Sequence, residues 1–157
     1  YYMIEKNSKG VVVLVNKWDL VEKDQNTMVK FEELLREQLA PFNDVPIIFT
    51  STLNKQRIHR ALETAMRVYE NRTRKIPTHE LNEVMLEVIA QTPPPAVKGK
   101  YIRIKFVQQL PTHAPTLAFF CNLPQYLADS YKRFLENRLR ERFDFEGVPV
   151  KIFFRKK

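Results

Sequence analysis

The sequence predicts an α/β unit followed by an α+β unit. Three observations carry this. The first half holds two unbroken aliphatic runs, each followed by apolar residues at helical spacing; a polar, basic break lies at residues 71–75; and the second half contains alternating apolar and basic residues, the pattern of half-buried strands.

The first strand follows Gly10. Val11-Val12-Val13-Leu14-Val15 has no polar interruption, which predicts a strand buried on both faces, as in a parallel sheet. From about Asn26 to Leu39, Phe31, Leu34, Leu35 and Leu39 recur at helical spacing, and Pro41 is the expected stop. Val45-Pro46-Ile47-Ile48-Phe49 reads as a second buried strand. Ile58, Leu62, Ala65, Met66 and Tyr69 then mark the expected inner stripe of a second helix. A right-handed crossover makes the two strands parallel, so Asn16–Asp19 and Thr50–Thr52 are expected on one rim, where ligands of such sheets bind.

Asn71-Arg72-Thr73-Arg74-Lys75 reads as a linker, dividing the chain into domains 1–75 and 76–157. Thr78 is the expected cap of a helix carrying Glu80 in its first turn and Leu81, Val84, Met85, Val88 and Ile89 on one face; Pro93-Pro94-Pro95 ends it. Tyr101–Val107 alternates, with Ile102, Ile104 and Phe106 expected inward and Arg103 and Lys105 outward. Thr116–Asn122 is the next strand. A helix beginning near Pro124 carries Leu127, Tyr131, Phe134, Leu135 and Leu139, Gly147 breaks the pattern, and Val148–Phe154 is the last strand. The second half is therefore αββαβ, with helices on one side of a three-stranded sheet.

Composition bounds the function classes. The 157 residues are 44% hydrophobic, enough for an ordinary core, and no run approaches the roughly 20 apolar residues of a membrane span. With no basic leader at Tyr1-Tyr2-Met3, the expected location is cytoplasmic, with no membrane partner. The net charge of +8 is unevenly placed: residues 1–75 carry +3, residues 76–97 carry −3, and residues 98–157 carry +8. Such a local excess attracts phosphate backbones, RNA above all. Lys100, Arg103, Lys105, Lys151 and Arg155, with Lys156 and Lys157, are the candidate nucleic-acid contacts; a solvated basic face is the plainer reading. Cys121, the single cysteine, lies in an apolar stretch and reads as core, while His59, His79 and His113 are too scattered for a metal site.

The sharpest local signal is Asn16-Lys17-Trp18-Asp19 where the first strand runs out. A carboxylate at Asp19 offers two acceptors that match the N1–H and exocyclic amine of guanine, whereas adenine presents no N1–H donor. Lys17 can lay its apolar stem along the base, and Asn16 can tie the loop to neighbouring backbone. Trp18 is expected to pack rather than touch the base. Thr50-Ser51-Thr52-Leu53 ends the second strand about 30 residues on, room for one crossover helix. Its Thr52 N–H can donate to guanine O6; the plainer alternative is that Ser51 and Thr52 cap the following helix.

Gly10-Val11-Val12-Val13-Leu14-Val15-Asn16-Lys17-Trp18-Asp19-Leu20, Phe49-Thr50-Ser51-Thr52-Leu53, Pro77-Thr78-His79-Glu80-Leu81-Asn82 and Phe134-Leu135-Glu136-Asn137-Arg138-Leu139-Arg140 together resemble the end of the second G domain and the KH-like domain of the Der (EngA) family of bacterial tandem GTPases. The resemblance spans essentially the whole chain. It implies a partial P-loop-type GTPase sheet followed by a KH-like domain, GTP or GDP as ligand with Mg2+ held elsewhere, and the large ribosomal subunit or its rRNA and a preceding G domain as partners. It also assigns Asn16, Lys17, Asp19, Ser51 and Thr52 to the base, with Thr52 where the family usually has Ala.

Two departures shape the expectation. With only Gly10, Gly99 and Gly147, the chain has no Gly-rich loop ending in Gly-Lys-Ser/Thr to cradle phosphates, so it is expected to be truncated at its N-terminus and inactive alone, with no catalytic residue and at best weak guanine affinity. Asp144-Phe145-Glu146-Gly147 matches Asp-x-x-Gly formally, but lies after the guanine motif rather than before it. The same spacing of glycines leaves the second domain without the Gly-x-x-Gly loop by which KH domains clamp RNA.

Overall fold

A computed structural model describes residues 2–22, 26–40 and 42–156. The predicted helix stop at Pro41 and the basic Lys157 lie outside the described residues. The chain forms two compact units, Tyr1–Arg72 with Phe145–Pro149, and Thr73–Asp144 with Val150–Lys157. The five residues 145–149, which the sequence reading placed in the second domain, thus pack with the first.

In the first unit a short helix α1 (Tyr2–Lys6) precedes β1 (Val13–Val15), α2 (Thr27–Leu39), β2 (Ile47–Phe49) and α3 (Ile58–Thr73). The strands are parallel, with Val13, Leu14 and Val15 opposite Ile47, Ile48 and Phe49. Val11, Phe42 and Val45 form a small core flanked by Ile4, Val13 and Leu39.

Three expectations fail here. Leu14 is 52% exposed, so β1 is not buried on both faces; the sheet has only two strands and one of its faces is uncovered among the described residues. On α3 the anticipated stripe is turned outward, with Leu62, Met66 and Tyr69 exposed, while Ala61, Thr64, Val68 and Asn71 are buried. The face is chosen by close backbone approach: a Cβ on Gly10 or Gly147 would meet the Val68 side chain at 2.7 or 2.6 Å, so glycines and small side chains occupy this contact. Finally, α3 runs to Thr73, and the expected linker residue Asn71 is fully buried, its amide donating to the Glu146 carbonyl at 3.2 Å.

The second unit is α4 (Thr78–Gln91), β3 (Ile104–Gln109), β4 (Thr116–Cys121), α5 (Asp129–Arg142) and β5 (Lys151–Lys156), the αββαβ order read from the sequence. The strand order is β3-β4-β5, the first pair antiparallel and the second parallel. Leu81, Met85, Leu135 and Leu139 from the helices, with Val107, Leu117, Phe119 and Ile152 from the sheet, make up its core. Thr78 is the first helical residue rather than the cap, which is Pro77 with no side-chain hydrogen bond. The helix expected from Pro124 is split: a 3-10 turn at Pro124–Tyr126 and extended residues Leu127 and Ala128 precede α5.

A bulge between Ile104 and Phe106 alters the predicted alternation of β3. The extra residue turns Phe106 away from the face of Ile104, and Val107 takes the inward place with no exposure. Phe106 instead pairs with Phe120, ring centroids 5.7 Å apart. Cys121 is buried, and that burial raises its thiol pKa, against a lowering contribution from a backbone hydrogen bond at Leu123.

Candidate functional site

Because β1 and β2 are parallel and in register, their C-terminal ends leave the sheet side by side. The two loops are stitched by Thr50: its N–H donates to the Val15 carbonyl at 2.8 Å, and its carbonyl accepts from Trp18 N–H at 3.1 Å. Thr50 and Ser51 are buried, so these bonds are shielded from water.

Between the stitches the chain reverses at Lys17, whose φ of 58° lies in the left-handed region. A lysine there costs about 1 kcal/mol or more relative to ordinary backbone, and surrounding packing has to hold it. Trp18 supplies that packing. It is only 4% exposed, its ring tilted 4.4 Å from Phe49 and edge-on to Phe31 at 5.9 Å. With the indole turned inward, as expected of a packing residue, Asn16 and Lys17 are exposed and Asp19 is half-buried in a 3-10 turn, Trp18–Leu20. The Asn16 side chain makes no hydrogen bond among the described residues, so the tie expected of it is made by Thr50 and Trp18.

The second loop is a closed turn. Ser51 and Gln56 form an antiparallel bridge, with Gln56 N–H donating to Ser51 O at 2.9 Å, and Asn54 N–H donates to Ser51 Oγ at 3.3 Å. Thr52–Lys55 are exposed at its tip. Since α3 starts only at Ile58, Ser51 and Thr52 do not cap it. The loop is instead shaped by Ser51 from inside, with Lys55 and Arg57 at φ of 50° and 59° and the Arg57 guanidinium donating to Phe49 O at 3.3 Å.

The rim therefore presents a half-buried carboxylate, an exposed lysine and an exposed turn whose Thr52 amide makes no hydrogen bond among the described residues. Sequence reasoning named Asn16, Lys17, Asp19, Ser51 and Thr52, and the fold brings their segments together. It did not find Thr50, whose role depends on cross-strand register rather than on residue type.

The candidate basic residues belong to the second unit. Lys151 and Arg155 share one face of β5, opposite Thr116 and Phe120 of β4. Lys105 is exposed at the bulge and Arg103 is exposed just before β3, with its backbone paired to Asn122. Lys100 lies 5.4 Å from the centroid of the Tyr126 ring.

Comparison with known proteins gives a consistent answer. Residues 75–155 match the family model described as the KH-domain-like, C-terminal part of EngA bacterial GTPase enzymes. The chain is similar to the GTPase Der of Christiangramia forsetii, 59% identical over 157 residues, of Flavobacterium psychrophilum, 57% identical over the same length, and of Bacteroides fragilis, 57% identical over 159 aligned positions. In each case all of this chain is covered but only 36% of the relative, so the chain spans about a third of the length of the curated relatives it matches.

Proposed function

This chain belongs to the Der (EngA) family of bacterial GTPases, and on that premise we propose that it is part of a GTP-binding protein that assists assembly of the large ribosomal subunit. Its residues 1–75 supply guanine recognition and residues 76–157 an RNA-facing KH-like domain. The observation that carries the nucleotide reading is the parallel register of β1 and β2, which sets Asn16–Asp19 beside Thr50–Thr52.

The donor and acceptor set fits the base. The Asp19 carboxylate accepts from guanine N1–H and the exocyclic amine, Thr52 N–H donates to O6, and the Lys17 stem lies along the ring. Because the Thr52 contact uses backbone, threonine serves there as alanine does. Half-burial of Asp19 and the dry Thr50 stitch beneath it strengthen these bonds relative to water, and a base lacking N1–H leaves a carboxylate unmatched. The residues present do not fit the rest of the nucleotide: Gly10, Gly99 and Gly147 cannot build a phosphate loop, so this reading assigns phosphates and Mg2+ to no residue here and derives no hydrolysis step.

Calorimetric titration of GDP and xanthosine diphosphate into the longer protein that carries this sequence tests the reading. Asp19→Asn is expected to weaken GDP and to restore the xanthine nucleotide, whose C2 oxygen needs a donor where guanine offers one. Equal binding of both nucleotides to both proteins, or none at all, would sink the guanine assignment and leave the KH-like half as the functional part.

A further inference from the structure

We infer that the outer face of the β3-β4-β5 sheet is a stacking surface for single-stranded RNA, built from Phe106, Phe120 and Phe153 and flanked by Lys151 and Arg155. The inference rests on the RNA-partner half of the reading above and is independent of the guanine site.

The register fixes which side chains share this face. Across the sheet, Phe106 of β3 stands opposite Phe120 of β4, which stands opposite Arg155 of β5; in the next row Gln108, Ala118 and Phe153 are aligned, and beyond them Thr116 and Lys151. The alternate positions, Val107, Leu117, Phe119 and Ile152, are the buried ones, so the first set points away from the core. Phe153 is 46% exposed, and Phe106 and Phe120 are half-buried. The bulge after Ile104 is what brings Phe106 to this face, and without it Val107 would stand there.

Exposed aromatics on a sheet are common, and by themselves indicate nothing. Here charge complementarity selects the occupant. None of the three strands, IKFVQQ, TLAFFC and KIFFRK, contains an acidic residue, whereas Lys105, Lys151, Arg155 and Lys156 are basic. A face of flat apolar rings bordered by cations and free of anions matches a chain of bases joined by phosphates, since every base has a stacking surface and every link a negative charge. A duplex hides its base faces and gains only from the cations. The spacing also suits it: the Phe106 and Phe120 centroids are 5.7 Å apart, within the range of successive unstacked bases laid on neighbouring strands. The groove normally used by KH domains lacks its Gly-x-x-Gly clamp here, so the sheet face does not compete with it.

The test is fluorescence anisotropy of a labelled ten-nucleotide single-stranded RNA with the chain, at several salt concentrations, beside an RNA duplex of equal length. Wild type is expected to bind the single strand more tightly than the duplex. Phe153→Ala and Phe153→Leu should each weaken it about tenfold with an unchanged salt slope, and Lys151→Gln with Arg155→Gln should flatten that slope by about one unit. Arg142→Gln on α5 should change neither. Folding of each variant is checked by circular dichroism, and the leucine variant guards against loss of the strand itself. Equal affinity for duplex, an unaltered Phe153→Leu, or displacement of the RNA by an acidic peptide would overturn the proposal, the last assigning the face to a protein. The Asp19 nucleotide exchange is read separately, so either claim can fail alone.

Discussion

The Gly147 N–H donates to the Asp44 carbonyl at 2.7 Å, and the Gly147 carbonyl accepts from Val11 N–H at 2.8 Å. Gly147 thereby bridges the segments that lead into β2 and β1, the two strands whose far ends carry the guanine motif. It does so at a φ of 77°, where an added Cβ would meet Val68 Cγ2 at 2.6 Å and the Val11 carbonyl at 2.8 Å. Gly147→Ala is expected to destabilise the chain by on the order of 3 kcal/mol, combining left-handed strain with overpacking. Gly10→Ala meets only the Val68 side chain closely, at 2.7 Å. Urea denaturation should therefore show Val68→Ala relieving Gly10→Ala more than Gly147→Ala. Equal relief would mean that the backbone contact is not what restricts position 147.

Two side chains of α3 hold the same segment, and they differ in worth. Asn71 is fully buried and donates to the Glu146 carbonyl, whereas the Arg67–Glu146 ion pair is half exposed and screened by solvent. Asn71→Leu strands a buried acceptor and should cost about 2 kcal/mol. Arg67→Ala should cost less than about 1 kcal/mol, with its effect fading at high salt. A reversed ranking in denaturation midpoints would contradict this account of the segment.

These contacts also explain which parts of the fold were legible in the sequence. The aliphatic runs ending at Val15 and Phe49, and the αββαβ order of the second unit, follow from local periodicity and turn residues, and so does the placement of Asn16–Asp19 beside Thr50–Thr52. What periodicity could not show was set by distant partners. Leu62, Met66 and Tyr69 make the better apolar stripe on α3, yet Val68 and Asn71 are buried because Gly10 and Gly147 allow backbone to approach there. The formal Asp-x-x-Gly string ending at Gly147 proves to be this structural strap. Likewise, one extra residue at the β3 bulge moved Phe106 to the opposite face, and no local signal marks a bulge at Lys105.

In the second unit, the Tyr131 hydroxyl donates to the Thr92 carbonyl at 2.8 Å, and burial pushes its pKa up to about 12. Unfolded, the phenol titrates near 10. Between those values the folded chain keeps a proton that the unfolded chain has lost, so this contribution is complete below about pH 10 and declines as pH rises toward 12. Tyr131→Phe lacks the titration. Denaturation midpoints measured from pH 8 to 11 should show wild type more stable at pH 8 and the gap narrowing above pH 10. Parallel curves would show that Tyr131 ionises alike in both states.

At the guanine site, the proposal divides the work of Thr52 between side chain and backbone, and two substitutions separate them. Thr52 is exposed at the tip of a turn whose shape comes from the Ser51–Gln56 bridge and the Ser51 hydroxyl, not from Thr52. Thr52→Ala should therefore leave GDP affinity of the longer protein within about twofold, since the N–H that meets guanine O6 is kept. Thr52→Pro removes that N–H. Ser51 is already in an antiparallel bridge, the extended conformation that precedes proline readily, so the turn itself should survive. The loss expected is about tenfold in GDP affinity, the worth of one hydrogen bond to the base in a shielded site. Isothermal titration on both variants, with thermal melts to confirm that the turn is intact, reads the difference. Should proline bind GDP as well as alanine does, O6 is not recognised by this amide, and base selection must rest on Asp19 alone.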